Sequence, residues 1–448
     1  MKQILSGAIS GTSRGIALAA ALTLAAATFP ACAQVTPGYS HSWVGTWGTA
    51  PAGPPLPAAL QTFNDQTLRL IVHTSIGGTQ VRVRLSNEFG AAPLRVGAAR
   101  IALRQAGADI NVESDRPLTF SGFTSVTIPA GAPMLSDPVE LTVPPMSDLA
   151  VSIYLPGEIL ATTIHGSAYQ TNYVSLPGNF TGASVLPIQR TIFSWPFITE
   201  VDVQSPARAV VALGDSITDG AVTTRDANHR WPDFLALRMQ TTRELSALQT
   251  AHGGANELGI VNRGIGGNRL LRDPAANPLA GRSALARFDR DVIATAGVSH
   301  VVVLLGINDI GAPGTASTPA DQAVTVEDLI AGYRQLIARA HAKGLTIYGG
   351  TMTPFEGTLN PGYFTPAKEL IRQAANNWIR TSDEFDGVID FDRAVRDPGQ
   401  PSRFLPAFDS GDHLHPNDLG MQAMANAIPL DLFRGNRQVL ARDLPARQ

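Results

Sequence analysis

Four short segments of this 448-residue chain carry side chains that together could attack a carbonyl group. In Gly214-Asp215-Ser216-Ile217-Thr218-Asp219-Gly220 a serine follows directly on an apolar run and is bracketed by glycines. A hydroxyl placed there becomes a nucleophile once a neighbouring base takes its proton, although Ser, Asp and Thr serve equally as helix N-caps. Leu305-Gly306-Ile307-Asn308-Asp309 places an amide after a second apolar run. Such an amide can donate to a developing oxyanion, and Asn and Asp are also ordinary turn residues. Between the two lies Val261-Asn262-Arg263-Gly264-Ile265-Gly266-Gly267-Asn268. Its glycines would let a backbone N–H approach a substrate oxygen, or simply close a tight turn.

The fourth segment, Asp412-His413-Leu414-His415-Pro416, offers a base. A carboxylate that accepts the Nδ1 proton of an imidazole leaves Nε2 free to take a proton from serine. In a turn leading into a helix near Asn417, residues three apart share a side while neighbours point apart. Asp412 is therefore expected to orient His415, and Pro416 to keep His415 extended. His413 is expected to be structural or adjacent to substrate. The His-x-His spacing would also suit a metal, but no further carboxylate–histidine cluster accompanies it. Other chemistries lack their motifs: no glycine-rich loop ends in Lys-Ser or Lys-Thr, and no His-Glu-x-x-His occurs. The one Gly-x-Ser-x-Gly, Gly11 to Gly15, falls in a leader segment, which excludes an α/β-hydrolase elbow.

The elements that must position these residues read as two styles of sequence. From about Trp43 to Thr199 short strands alternate with turn residues. Thr67 to His73 leads through Gly77-Gly78 into Gln80 to Leu85, where Val81, Val83 and Leu85 alternate with Arg82 and Arg84. That period of two is a half-buried strand. Leu94 to Leu103, Ser125 to Ile128 and Leu149 to Leu155 repeat the theme, so an all-β antiparallel sandwich is expected over 41–200. After Pro206 the runs Ala209 to Leu213, Val301 to Leu305 and Leu345 to Tyr348 are apolar at every position, as strands covered on both faces are. Helical stretches at Trp231 to Met239, Val326 to Ala342 and Ala367 to Arg380 lie between them or follow. The alternation predicts a doubly wound parallel α/β domain over 206–435, with its ligand crevice beyond the carboxyl ends of the strands.

Taken jointly and in order, the four blocks resemble the SGNH or GDSL family of serine hydrolases over about half the chain. Ile217 stands where the family usually has Leu. The resemblance implies a flavodoxin-like three-layer fold with Ser216 as nucleophile, His415 as base and Asp412 as its orienter. It implies an oxyanion hole made of the Ser216 and Gly267 N–H groups and the Asn308 side chain. Gly266 sits beside Gly267, so the glycine could slip by one. Neither metal nor organic cofactor is implied. Trp43 to Trp47 and Ser86 to Gly90 resemble a jelly-roll-like accessory sandwich found beside some members. Its tryptophans would stack on sugar rings if exposed and fill the core if buried.

Composition sets the remaining bounds. With 44% hydrophobic and 16% charged residues there is ample material for packed cores. A net charge of −3 gives no general attraction to nucleic acid or anionic membrane. Lys2 and Arg14, the apolar run Gly15 to Phe29, Pro30 and Ala31-Cys32-Ala33 predict a cleaved secretory signal over 1–33, the run being shorter than the ~20 residues a bilayer span requires. Cleavage would remove the chain's single cysteine, leaving neither disulfide nor thiolate chemistry. The expected protein is a periplasmic or secreted serine esterase acting on short acyl esters, with O-acetyl groups of a polysaccharide as the leading substrate. Runners-up are a short-chain lipase or arylesterase and an acyltransferase, followed by a non-catalytic carbohydrate-binding protein.

Overall fold

The computed structural model describes residues 42–241, 258–274 and 276–433. The expected signal segment 1–33, with Cys32, lies outside the described residues, as do the last two positions of the expected 206–435 domain.

The N-terminal half is β-rich. Its longer strands are β1 (Ser42–Gly48), β2 (Thr62–His73), β3 (Gly78–Ser86), β4 (Ala98–Ala106), β5 (Val139–Val143), β6 (Asp148–Leu160), β7 (Asn172–Pro177), β8 (Ile188–Ile192) and β9 (Ile198–Ser205). Among the described residues they form an antiparallel sheet with the path β1-β9-β3-β5 and a second with the path β8-β7-β2-β6-β4. β3 alternates as its sequence requires, with Val81, Val83 and Leu85 buried and Arg82 and Arg84 half-buried. Leu94 to Leu103 is not one strand. Leu94–Val96 pairs with Val126–Ile128, while β4 pairs with β6, so the chain changes partner at Gly97. Trp47 is buried, its ring 5.0 Å from that of Trp195. Trp43 is half-buried beneath the Arg82 guanidinium, 4.4 Å away. These tryptophans are packing residues, not an exposed sugar-stacking face.

The second half is α/β. Its strands are β10 (Arg208–Gly214), β11 (Leu258–Gly264), β12 (Val298–Leu304), β13 (Thr346–Gly350) and β14 (Gly387–Ile389). All run parallel in the order β11-β10-β12-β13-β14, which is the flavodoxin-like doubly wound order. Ala209 through Gly214 are all buried, as cover on both faces demands. The helices are α1 (Ser216–Asp219), α2 (Trp231–Thr241), α3 (Ala284–Phe288), α4 (Ile307–Gly311), α5 (Val326–His341), α6 (Pro366–Thr381), α7 (Phe391–Val395) and α8 (Asp418–Ala427). The three long helices fall within two residues of their expected ends because their starts are well signalled. Thr325 and Asp328 form a capping box before α5, and Thr365 with Pro366 opens α6.

One hydrophobic core runs through both halves, from Val44 and Trp47 to Val261 and Val301. The Gly45 N–H donates to Ala296 O at 2.9 Å. The buried Arg263 of β11 donates to Thr49 O at 2.5 Å and Thr199 O at 2.8 Å, and pairs with Glu200 of β9.

Candidate active site

β10 lies between β11 and β12, with Gly214 opposite Gly264 on one side and Leu304 on the other. The strand order reverses at β10 and β12, so the loops leaving them open a crevice at the topological switch point. Ser216, the glycine loop and Asn308 all emerge there. Asp215 caps α1 by accepting the Ile217 N–H at 3.0 Å. α1 is a single turn, ended by Gly220 in the left-handed region. Ser216 is its first residue, so its own N–H has no intrahelical partner. A Cβ on Gly264 would lie 2.2 Å from the Asp219 nitrogen. Glycine is required there for the end of β11 to approach the serine turn.

The segment before α8 brings up the base. His415 Nε2 lies 2.9 Å from Ser216 Oγ, and Nδ1 lies 2.6 Å from Asp412 Oδ2. Asp412 Oδ1 accepts the N–H groups of Leu414 at 2.9 Å and His415 at 2.8 Å, which fixes the carboxylate inside its own turn. Burial opposes its charge, but the hydrogen bond and charge of His415 outweigh that and hold Asp412 well below the usual carboxylate range. With Nδ1–H donated to Asp412, Nε2 presents its lone pair and the serine O–H donates to it.

His413 stands apart. It adopts φ +58°, and its Nδ1 lies 2.5 Å from a different carboxylate, Asp409. The sequence gives no sign of Asp409 as a partner, because the chain must fold back four residues through the left-handed region to make the pair.

Asn308 is oriented from both sides. Its Oδ1 accepts from the buried Tyr363 hydroxyl at 2.8 Å, and its Nδ2 donates to Asn268 O at 3.0 Å. One amide hydrogen is thereby left over. In the glycine loop, the Gly266 N–H is donated to Asp219 Oδ2 at 3.1 Å, and the Asn268 N–H to Ile265 O at 3.1 Å. Gly267 sits between them at φ +76°, a conformation that favours glycine. Arg287, fully buried in α3, ties the loops together. It donates to Asn268 Oδ1 at 3.0 Å, Gly214 O at 2.8 Å and Arg263 O at 2.7 Å, and pairs with Asp291 at 2.9 Å. Tyr363 and Arg287 carry no local sequence signal, since each is more than fifty residues from Asn308 or Gly214, respectively.

Two carboxyls beside the crevice are perturbed. Burial pushes Asp215 up to about 7, against the Ile217 N–H, and Asp309 up to about 6, against the Leu270 and Leu271 N–H groups. No group of three or more His, Cys, Asp or Glu side chains among the described residues is arranged to hold a metal ion. The arrangement can perform nucleophilic acyl transfer: a hydroxyl, a base in contact with it and a carboxylate behind the base, with donors nearby.

Residues 212–423 match the GDSL-like lipase/acylhydrolase family. Among solved structures, similarity extends to an acetylxylan esterase from Geobacillus stearothermophilus, at 20% identity and TM-score 0.36, covering 51% of this chain and 95% of that one. A GDSL-like lipase from Bacteroides thetaiotaomicron gives 20% identity and TM-score 0.33, covering 50% and 87%. An α/β hydrolase enzyme from the metagenome of Lake Arreo, Spain, gives 21% identity and TM-score 0.35, covering 50% and 94%. None of the curated proteins matches this chain.

Proposed function

With residues 212–423 a GDSL-like lipase/acylhydrolase domain, and the protein therefore a carboxylic ester hydrolase, we propose that it is an exported serine esterase that removes short acyl groups through an acyl-enzyme. The observation that carries this reading is the contact of Ser216 Oγ with His415 Nε2 at 2.9 Å, backed by Asp412 at 2.6 Å. His415 takes the Ser216 proton as Oγ bonds to the ester carbonyl carbon. The oxyanion is held by the N–H groups of Ser216 and Gly267 and by the spare Asn308 amide hydrogen. The involvement of Gly266 N–H with Asp219 favours Gly267 over its neighbour. Collapse breaks the bond to the alcohol oxygen, which leaves with the proton from His415. Water then repeats the sequence on the acyl-serine and releases the acid.

We take 206–435 as the catalytic domain and 41–200 as an accessory sandwich of jelly-roll type, a reading supported by its two antiparallel sheets. Export and the appended β-rich region favour O-acetyl groups on a polysaccharide as substrate. A short-chain lipase or arylesterase is the second reading. Leu359, 71% exposed, donates its N–H to Asp412 O at 3.2 Å, so an exposed apolar residue stands beside the turn that carries the base. Acyl transfer to an alcohol in place of water would use the same residues. The test is a serine-directed phosphonate followed by peptide mapping, with acid release scored on p-nitrophenyl esters of rising chain length and on acetylated xylan. An adduct on any serine other than Ser216 overturns the reading.

A further inference from the structure

The β-rich region sends a buried imidazole to the catalytic loops. His165, in the short strand Ile164–His165, has a side chain only 2% exposed. Its Nδ1 faces Ala50 O at 2.9 Å, and its Nε2 faces Asp219 Oδ1 at 2.9 Å. A carbonyl oxygen can only accept, so Nδ1 carries a hydrogen. The opposite nitrogen meets a carboxylate whose other oxygen already accepts the Gly266 N–H at 3.1 Å. Donors on both ring nitrogens make this a buried imidazolium–carboxylate pair. Burial disfavours the charged ring, but Asp219 outweighs it and raises His165 above its ordinary value. Arg230 faces the pair, donating from Nε to the Asp219 carbonyl at 3.1 Å while pairing with Asp233 at 3.0 Å. Tyr169 is nearby, its hydroxyl pushed up to about 12 by burial and then by Asp219.

Asp219 is the joint. It ends α1, three residues after Ser216, and its Oδ2 anchors Gly266 immediately before Gly267. The direction of the Gly267 N–H is set by the peptide plane it shares with Gly266. Whatever fixes the Asp219 carboxylate therefore fixes that donor relative to the serine. We propose that His165 is a positioning residue of the active site, holding Asp219 so that the glycine loop keeps its N–H aimed into the crevice. The inference rests on the esterase reading and adds to it that the β-rich region completes the catalytic apparatus.

The experiment compares His165→Leu, His165→Gln, Asp219→Asn and the double variant His165→Leu/Asp219→Asn in the full chain. Working sites are counted by titration with a p-nitrophenyl phosphonate, and kcat per titrated site and KM are measured on p-nitrophenyl acetate. His165→Leu should lose about ten- to a hundredfold in kcat with KM within about threefold, less than the 10²–10³ of losing a donor outright. His165→Gln, whose amide can still donate to Asp219, should recover most of that loss. Asp219→Asn cannot accept from both partners and should match His165→Leu, and the double variant should be no worse than either. A His165→Leu enzyme with fewer titratable sites but unchanged kcat per site would make the residue merely structural and overturn the proposal. So would additive losses in the double variant. If wild type is not labelled on Ser216, the esterase reading itself fails, which is a separate result.

Discussion

The parallel-sheet half and the antiparallel half bring polar groups to the active site in different ways. In the parallel half, Ser216, Gly267 and Asn308 follow the carboxyl ends of β10, β11 and β12 within four residues, and all three meet one crevice. Both halves sink charged groups into the structure, Arg263, Arg287 and Arg372 in the parallel half as well as those of the antiparallel half. Arg69 is fully buried among Ser152, Ala108 and Ala183 acceptors, and Glu200 is buried against Arg263 and Arg84. A parallel sheet aligns its strand ends, so its functional residues come as short contiguous motifs. An antiparallel region has no common end and contributes residues singly, Thr49, His165 and Glu200 among them. Polar groups that line the crevice, most of them from the parallel half and His165 behind them from the antiparallel half, should therefore govern rate, and charges buried away from it should mainly govern stability.

The largest effect tests the rate side. Ser216→Ala and His415→Ala should each remove about 10⁴–10⁶ of kcat, because residues that act as a unit fail together. Asp412→Asn should fall between them and wild type. Circular dichroism melts should stay near wild type, since a half-buried crevice hydroxyl contributes little packing. A large drop in Tm for Ser216→Ala would blur the division between crevice groups and buried charges.

Asn308→Ala should lower kcat by about 10²–10³ with KM little changed, the loss expected for one oxyanion donor. Tyr363→Phe removes only the group that turns the amide, so it should lose about two- to tenfold, the range of a single hydrogen bond. A Tyr363→Phe loss seen wholly in KM would make the tyrosine a substrate contact.

On the stability side, Glu200→Ala leaves the buried Arg263 guanidinium without its carboxylate. Breaking a buried pair from one side costs about 3–5 kcal/mol, to be read from urea midpoints, with kcat per titrated site nearly unchanged. The pH dependence sharpens this. Burial and the neighbouring Glu200 push Asp202 up to about 7, and burial lifts Asp215 to about 7 and Asp309 to about 6. Native carboxyls with raised values hold protons more tightly than the unfolded chain. Their stabilisation is full in acid and is lost as pH rises from about 4 to about 7. Asp202→Asn keeps a donor toward Glu200, so its Tm should fall less steeply with pH than that of wild type. An equal slope would remove Asp202 from the account.

The two halves also differ in how legible they are in the amino-acid sequence. Apolar runs, caps and the four motifs place β10, β12, α5, α6, Ser216, Asn308 and the Asp412–His415 pair, because those signals lie within a few residues. Strand partners in the β-rich half are less legible, as the break at Gly97 illustrates, since pairing is a long-range property. Tyr363, Arg287 and His165 escape a reading of the sequence for the same reason. Each acts through a hydrogen bond or ion pair to a residue more than fifty positions away, and a lone Tyr, Arg or His announces nothing.

The smallest expected effect distinguishes two adjacent Asp–His pairs. His415 has a 16% exposed side chain and touches Ser216, whereas His413 is 44% exposed and paired with Asp409. An exposed ion pair contributes about 0–1 kcal/mol to stability. His413→Ala should therefore keep most of its kcat and melt within a few degrees of wild type. Its backbone at φ +58° is strained for any side chain, and His413→Gly, which relieves that strain, should be at least as stable as His413→Ala. The ring packs against Gly357, where an added Cβ would lie 3.4 Å from it, so a KM change on bulky esters is the one kinetic trace it could leave. The measurement is kcat for His413→Ala beside His415→Ala on one aryl ester. A His413→Ala enzyme as inactive as Ser216→Ala, next to an active His415→Ala, would exchange the roles of the two histidines.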